Sequence, residues 1–145
     1  MARVGPGADC YNQNVTRLLP LFVLTLALAF TSGCADGPLQ VGAIQIGRSL
    51  NEDNSIGSLA AAFKPGDTIY VSVHTTDRGS GTIGVRWFYR GALMSERSKP
   101  VSFKGAGATE FHIQSAGGFP PGDYAVEVLL DGKSAGRRSF SVVEQ

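Results

Sequence analysis

The chain has 145 residues, and 13 Lys plus Arg against 12 Asp plus Glu give a formal net charge of +1. A balance so near zero creates no field to draw in a polyanion, which excludes charge-driven nucleic-acid binding. Cys10 and Cys34 are the only cysteines, too few for a disulfide framework, and the length suits one domain with its own core.

A targeting segment comes first. Arg17 precedes the uncharged, apolar run from Leu18 to Phe30, and the small residues Thr31, Ser32 and Gly33 follow. A cation, an apolar core and a small-residue cleavage region make up an export signal, so residues 1–33 read as a signal peptide with a helical core. The run is shorter than the roughly 20 residues a helix needs to cross a bilayer, which disfavours a permanent span. Residues 1–14, with Gly5, Pro6, Gly7, Asp9 and Cys10, are foreign to such a signal, and initiation at Val15 would leave a compact one.

Thr31-Ser32-Gly33-Cys34 resembles the lipobox of bacterial lipoproteins: Ser32 and Gly33 match the small positions, Cys34 matches the lipidated one, and Thr31 stands where Leu is usual. The resemblance implies diacylglycerol on the Cys34 sulfur, cleavage of the preceding bond and, commonly, acylation of the new amino terminus. Two or more chains anchor stably, since each buried methylene contributes about 0.8 kcal/mol. Residues 34–40 then form a lipidated tether, in which Ala35 to Gln40 extend about 20 Å at roughly 3.3 Å per residue. Ala35, not Asp, follows Cys34, which favours the periplasmic face of the outer membrane in a bacterium that has one. Ala27-Leu28-Ala29 is a competing A-x-A site, and cleavage after Ala29 would release a soluble secreted domain.

Residues 41–145 read as one β domain. Losing residues 1–33 removes Arg3, Arg17 and Asp9 and leaves eleven cationic and eleven acidic side chains. With Cys10 lost alongside the signal and Cys34 consumed by lipid, no disulfide is expected, so stability must come from packing of aromatic and β-branched residues. Val41 to Gly47 is a first strand. Thr68 to Thr75 alternates Ile69, Val71 and Val73 with Tyr70, Ser72 and His74, the period of a half-buried strand. Thr82 to Arg90 places Ile83, Val85, Trp87 and Tyr89 on one face and Arg86, Phe88 and Arg90 on the other, with Trp87 as a core anchor. Thr109 to Ile113 and Tyr124 to Leu130 alternate likewise. Asp131-Gly132 marks a type I′ hairpin turn into a strand from Gly136 to Val143, with Phe140 and Val142 inward.

Phe63-Lys64-Pro65-Gly66-Asp67 and Phe119-Pro120-Pro121-Gly122-Asp123 echo each other ahead of strands. Their Pro-Gly pairs suggest type II turns, each delivering an aromatic residue to one end of the domain. About seven short strands, a central Trp87 and Tyr124 on a late strand resemble an immunoglobulin-like antiparallel β-sandwich, without the cysteine pair of antibody domains. The pattern from Asp67 to Val73, Trp87, Gly117 to Tyr124, Asp131-Gly132 and Phe140 to Val142 resembles uncharacterised bacterial exported proteins. That resemblance implies no particular activity.

No catalytic constellation and no metal or cofactor site is expected. His74 and His112 are expected to face solvent from strands without Cys or an H-x-x-x-H partner. Asn51-Glu52-Asp53-Asn54 lacks the spacing of a calcium loop, and Gly79-Ser80-Gly81 lacks a nucleophile elbow. The glycine-rich stretches Gly79 to Gly84, Gly105 to Gly107 and Gly117-Gly118 read as turns. If the strands of Trp87, Tyr124 and Phe140 form a three-stranded sheet, its outer face gathers Arg86, Phe88, Arg90, Glu127, Leu129 and Arg137. Aromatic and Arg residues are enriched in interface hot spots, so this face is the candidate surface for an envelope protein partner. The expected function is a lipid-anchored envelope binding or accessory protein. The alternative is a small envelope enzyme or carbohydrate-processing domain that gathers a histidine with carboxylates.

Overall fold

Strands form wherever β-branched and aromatic residues alternate with polar ones, and a computed structural model describes residues 37–144. The signal segment, Thr31, Ser32, Gly33 and Cys34 lie outside the described residues. The strands are β1 (Val41–Leu50), β2 (Ile56–Leu59), β3 (Ala62–Phe63), β4 (Ile69–Thr75), β5 (Gly79–Tyr89), β6 (Ala92–Phe103), β7 (Gly107–Ile113), β8 (Gly122–Leu130) and β9 (Lys133–Val142). They build a four-stranded sheet, β2-β1-β4-β7, and a five-stranded sheet, β3-β9-β8-β5-β6. Every pairing is antiparallel except β3 with β9.

The all-β sandwich is the fold expected from the sequence, with more strands. The strands of Trp87, Tyr124 and Phe140 are adjacent as β5-β8-β9, but β6 and β3 extend their sheet at its two edges. β6 escapes a reading by periodicity because it is polar and largely exposed. Its Pro100 cannot donate to a second neighbour, which suits an edge strand. Gly79 to Gly84 belongs to β5 instead of a turn. Leu39 falls within the stretch 34–40 read as tether, yet its apolar side chain is 2% exposed and packs in the core.

The two sheets contribute differently to that core. The four-stranded sheet supplies mainly aliphatic residues, Ile44, Ile46, Ile69, Val71 and Val73, together with Phe111. The five-stranded sheet supplies rings: Phe140 lies 5.5 Å from Phe63, 6.1 Å from Trp87 and 5.4 Å from Tyr124. Such large side chains dominate packing energetics, at about 1.5–3 kcal/mol for a full Phe-sized burial.

Turn chemistry follows the backbone. Asp131 and Gly132 have φ of 50° and 82°, and Arg90 and Gly91 have 47° and 83°, the two positive values of a type I′ hairpin. The Pro-Gly expectation is corrected. The Asp67 amide does donate to the Lys64 carbonyl at 3.1 Å, but Gly66 is not among the residues at positive φ, so this is not a type II turn. Asp67 Oδ2 instead secures it, accepting from the Lys64 amide at 2.9 Å and from Arg48 Nε at 3.2 Å. These bonds hold the Asp67 carboxyl below its usual range, led by the Lys64 amide. Gly122 is already part of β8. The two echoing segments touch: the Phe119 amide donates to the Pro65 carbonyl at 2.7 Å, and both Phe63 and Phe119 are buried.

Tyr124 ties this end together. Its hydroxyl donates to the Pro120 carbonyl at 2.7 Å, a tyrosine corner of the kind found in immunoglobulin-like sandwiches. Burial, with Tyr89 beside it, pushes the Tyr124 phenol above its usual range. Tyr124→Phe keeps the ring and removes the bond, so it should cost about 1–1.5 kcal/mol. Urea unfolding should show a lower midpoint at an unchanged slope.

Candidate functional site

The predicted partner face is polar in the structure. Glu96, Arg86, Glu127 and Arg137 stand opposite one another across β6, β5, β8 and β9. Arg86 Nε pairs with Glu96 Oε2 at 3.2 Å, an exposed contact worth under about 1 kcal/mol. Phe88 is half-buried, with the Arg137 guanidinium carbon 4.7 Å from its ring centroid.

One of the six predicted residues leaves the exposed surface. Leu129 is 5% exposed. It lies opposite Gly84, and its Cδ1 would be 3.5 Å from a Cβ at that position, so it folds across the space the glycine leaves empty. Arg90 is in the β5–β6 turn at positive φ, and its guanidinium carbon lies 5.1 Å from the Tyr89 ring centroid. Arg86, Phe88, Glu127 and Arg137 stay together on the outer face, and Arg90 borders a shallow surface pocket with Phe88 and Arg137.

The histidines occupy separate settings. His74, half-buried instead of solvent-facing, has Nε2 3.1 Å from both Ser72 Oγ and Gln45 Oε1. His112 is exposed and its Nδ1 bonds Glu110 Oε1, while Lys99 Nζ lies 3.3 Å from Glu110 Oε2 and 4.8 Å from the Phe111 ring centroid. Burial raises the Glu110 pKa, but the His112 bond and the Lys99 charge outweigh it and hold the carboxyl below its usual range. Asp53 builds the β1–β2 turn, accepting from the Ser55 hydroxyl and amide. Among the described residues no group of three or more His, Cys, Asp or Glu is placed to hold a metal ion.

A cleft opens along the β6 edge. Ser95, Arg97 and Lys99 share the inner side with Trp87, Val85 and Ile83, their cross-strand partners on β5. A register shift between Trp87 and Phe88 inserts Met94 as an extra residue in β6. Between this part of β6 and the end of β7 is a cavity of about 450 Å³. Trp87, Met94, Ile113, Phe119 and Pro120 form its apolar wall, and Ser95, Arg97, His112, Gln114 and Ser115 supply its polar groups. Trp87 is fully buried and its indole Nε1 has no hydrogen-bond partner among the described residues. Sequence reasoning missed this cleft because it needs β6. Pro100 and the alternation of Ser95, Arg97 and Lys99 were the available clues.

No protein-family model matches the sequence, and no curated protein matches it significantly. Among solved structures, an immunoglobulin-like protein from Pseudomonas aeruginosa is similar at 12% identity and a TM-score of 0.52, covering 77% of this chain and all of that one. An alkylpurine DNA glycosylase from Pseudomonas fluorescens, bound to DNA with an abasic site analog, is similar at 15% identity and a TM-score of 0.49, over 75% of this chain. This chain spans 31% of that enzyme's length. A Paenibacillus cycloisomaltooligosaccharide glucanotransferase is similar at 16% identity and a TM-score of 0.49, over 73% of this chain and 14% of that one. The first of these supports the immunoglobulin-like sandwich as the fold.

The Lys99–Glu110 clasp sets a pH dependence. A carboxylate with a depressed folded pKa adds stability above its unfolded value near 4.3, and that stability is lost as pH falls through the folded pKa. Wild type should exceed Glu110→Gln by about 0.5–1 kcal/mol at neutral pH. In urea melts the difference should close below about pH 4.

Proposed function

We propose that this protein is a lipid-anchored, non-catalytic binding or accessory domain of the bacterial cell envelope, presenting its sandwich to a protein partner. One observation carries the reading: Leu39 is already buried in the core, five positions after Cys34. Only Ala35 to Pro38 then separate the lipidated residue from the folded domain, about 13 Å at roughly 3.3 Å per residue. An acyl anchor at Cys34 would hold the sandwich against the bilayer and raise its effective concentration toward envelope partners. In a bacterium with two membranes, Ala35 after Cys34 favours the periplasmic face of the outer membrane.

Protein recognition is supported by the outer face of β5, β8 and β9, where Arg86, Phe88 and Arg137 combine the side-chain types enriched in hot spots. A non-catalytic role is supported by where the acidic and basic groups are spent. Asp53 and Asp67 secure turns, Glu110 holds Lys99 and His112, and the cavity beside Trp87 has one histidine and no carboxylate in its wall. Release after Ala29 as a soluble secreted domain is the second reading, favoured by Ala27-Leu28-Ala29 alone.

Labelled palmitate separates the two. The wild-type protein should take up label and sediment with membranes, and Cys34→Ser should lose the label and enter the soluble fraction. Label retained in Cys34→Ser, or an unlabelled soluble wild type, would overturn the anchor.

A further inference from the structure

We infer that the cleft beside Trp87 is a binding site for a small amphiphilic anion, an apolar ring or short chain bearing a carboxylate. The inference does not rest on the lipid anchor. A volume of about 450 Å³ falls within the range of small-molecule sites, which are mostly apolar with a few placed polar groups. Here the apolar surface comes from both sides of the opening, with Trp87 and Met94 on the β5–β6 side and Ile113, Phe119 and Pro120 on the other.

Two groups in that wall lack partners that their neighbours have. The Trp87 indole N–H is buried and has no hydrogen-bond partner among the described residues, a state that costs the desolvation of a donor. Arg97 shares the inner side of β6 with Lys99, but only Lys99 is engaged, by Glu110 and the Phe111 ring. Among the described residues Arg97 makes no ion pair, hydrogen bond or ring contact. An inward charge at a sheet edge discourages edge-to-edge pairing, and Lys99 already provides one. The guanidinium fork of Arg97 at the cleft matches a carboxylate, which can accept two bonds from it. Among the described residues no acidic side chain lines the cavity to oppose it, and Glu110 is committed to Lys99 and His112.

Trp87 is the only tryptophan in the chain, so intrinsic fluorescence reads the site directly. The full-length protein would be titrated with 3-phenylpropionate, 3-phenylpropanamide and 3-phenylpropylamine. The carboxylate should give a saturable change with a Kd of about 1 mM or tighter, and the amide and amine should bind at least about ten-fold more weakly. Arg97→Glu, an exposed substitution checked for an unchanged melt, should reverse the preference toward the amine. No saturable change in the wild type, equal affinity for the three probes, or an unchanged preference in Arg97→Glu would overturn the assignment.

Discussion

Phe140 touches Phe63, Trp87 and Tyr124 within 5.4 to 6.1 Å, and this cluster of rings ties β3, β5, β8 and β9 into one packed layer. Because strand side chains alternate with period two, a slip of one residue in β5, β8 or β9 would move its rings to the solvent face. The cluster therefore pins the register of the sheet, with aliphatic residues of the other sheet filling the space opposite. The bond from Tyr124 to the Pro120 carbonyl extends the same constraint to the loop that carries Phe119.

With inner faces set in this way, much of the outer surface follows. Gly84 and Leu129 meet because their strands are in register, and the missing side chain at one lets the other lie flat and leave solvent. Phe88 stands opposite Ala125 and is covered by Arg137. Cations with long apolar stems close the open sides of the sandwich: Arg138 Nε donates to the Ile44 carbonyl at 3.3 Å, Arg48 lies over Phe63, and Lys99 lies over Phe111. Each covers apolar surface while keeping its charge toward polar groups. Arg97 is shaped for the same task on β6 but makes no such contact among the described residues, and the cavity beside Trp87 lies there.

The faces of β4, β5, β8 and β9 were legible from alternation alone, as were Trp87 as a buried anchor and Asp131-Gly132 as a type I′ turn. Those are local properties, set by the pleat and by which residues tolerate positive φ. The type of the Pro65-Gly66 turn was not legible, because glycine accepts both signs of φ and the Asp67 side chain bonds to Lys64 and Arg48. Of the six residues of the candidate partner face, Leu129 is buried instead of exposed, because its neighbour across the sheet, Gly84, outweighed simple alternation.

The sequence by itself determined that the chain folds as an all-β sandwich and that residues such as Ile69, Val71, Val73, Trp87 and Phe140 enter its core. Periodicity and turn chemistry are carried by near neighbours in the chain. Only the tertiary structure decided that Leu129 is buried, that β6 closes one edge, and that Trp87, Arg97 and Phe119 border one cavity. Those outcomes depend on cross-strand register and on the placement of sheet edges, where residues far apart in sequence are brought together by packing.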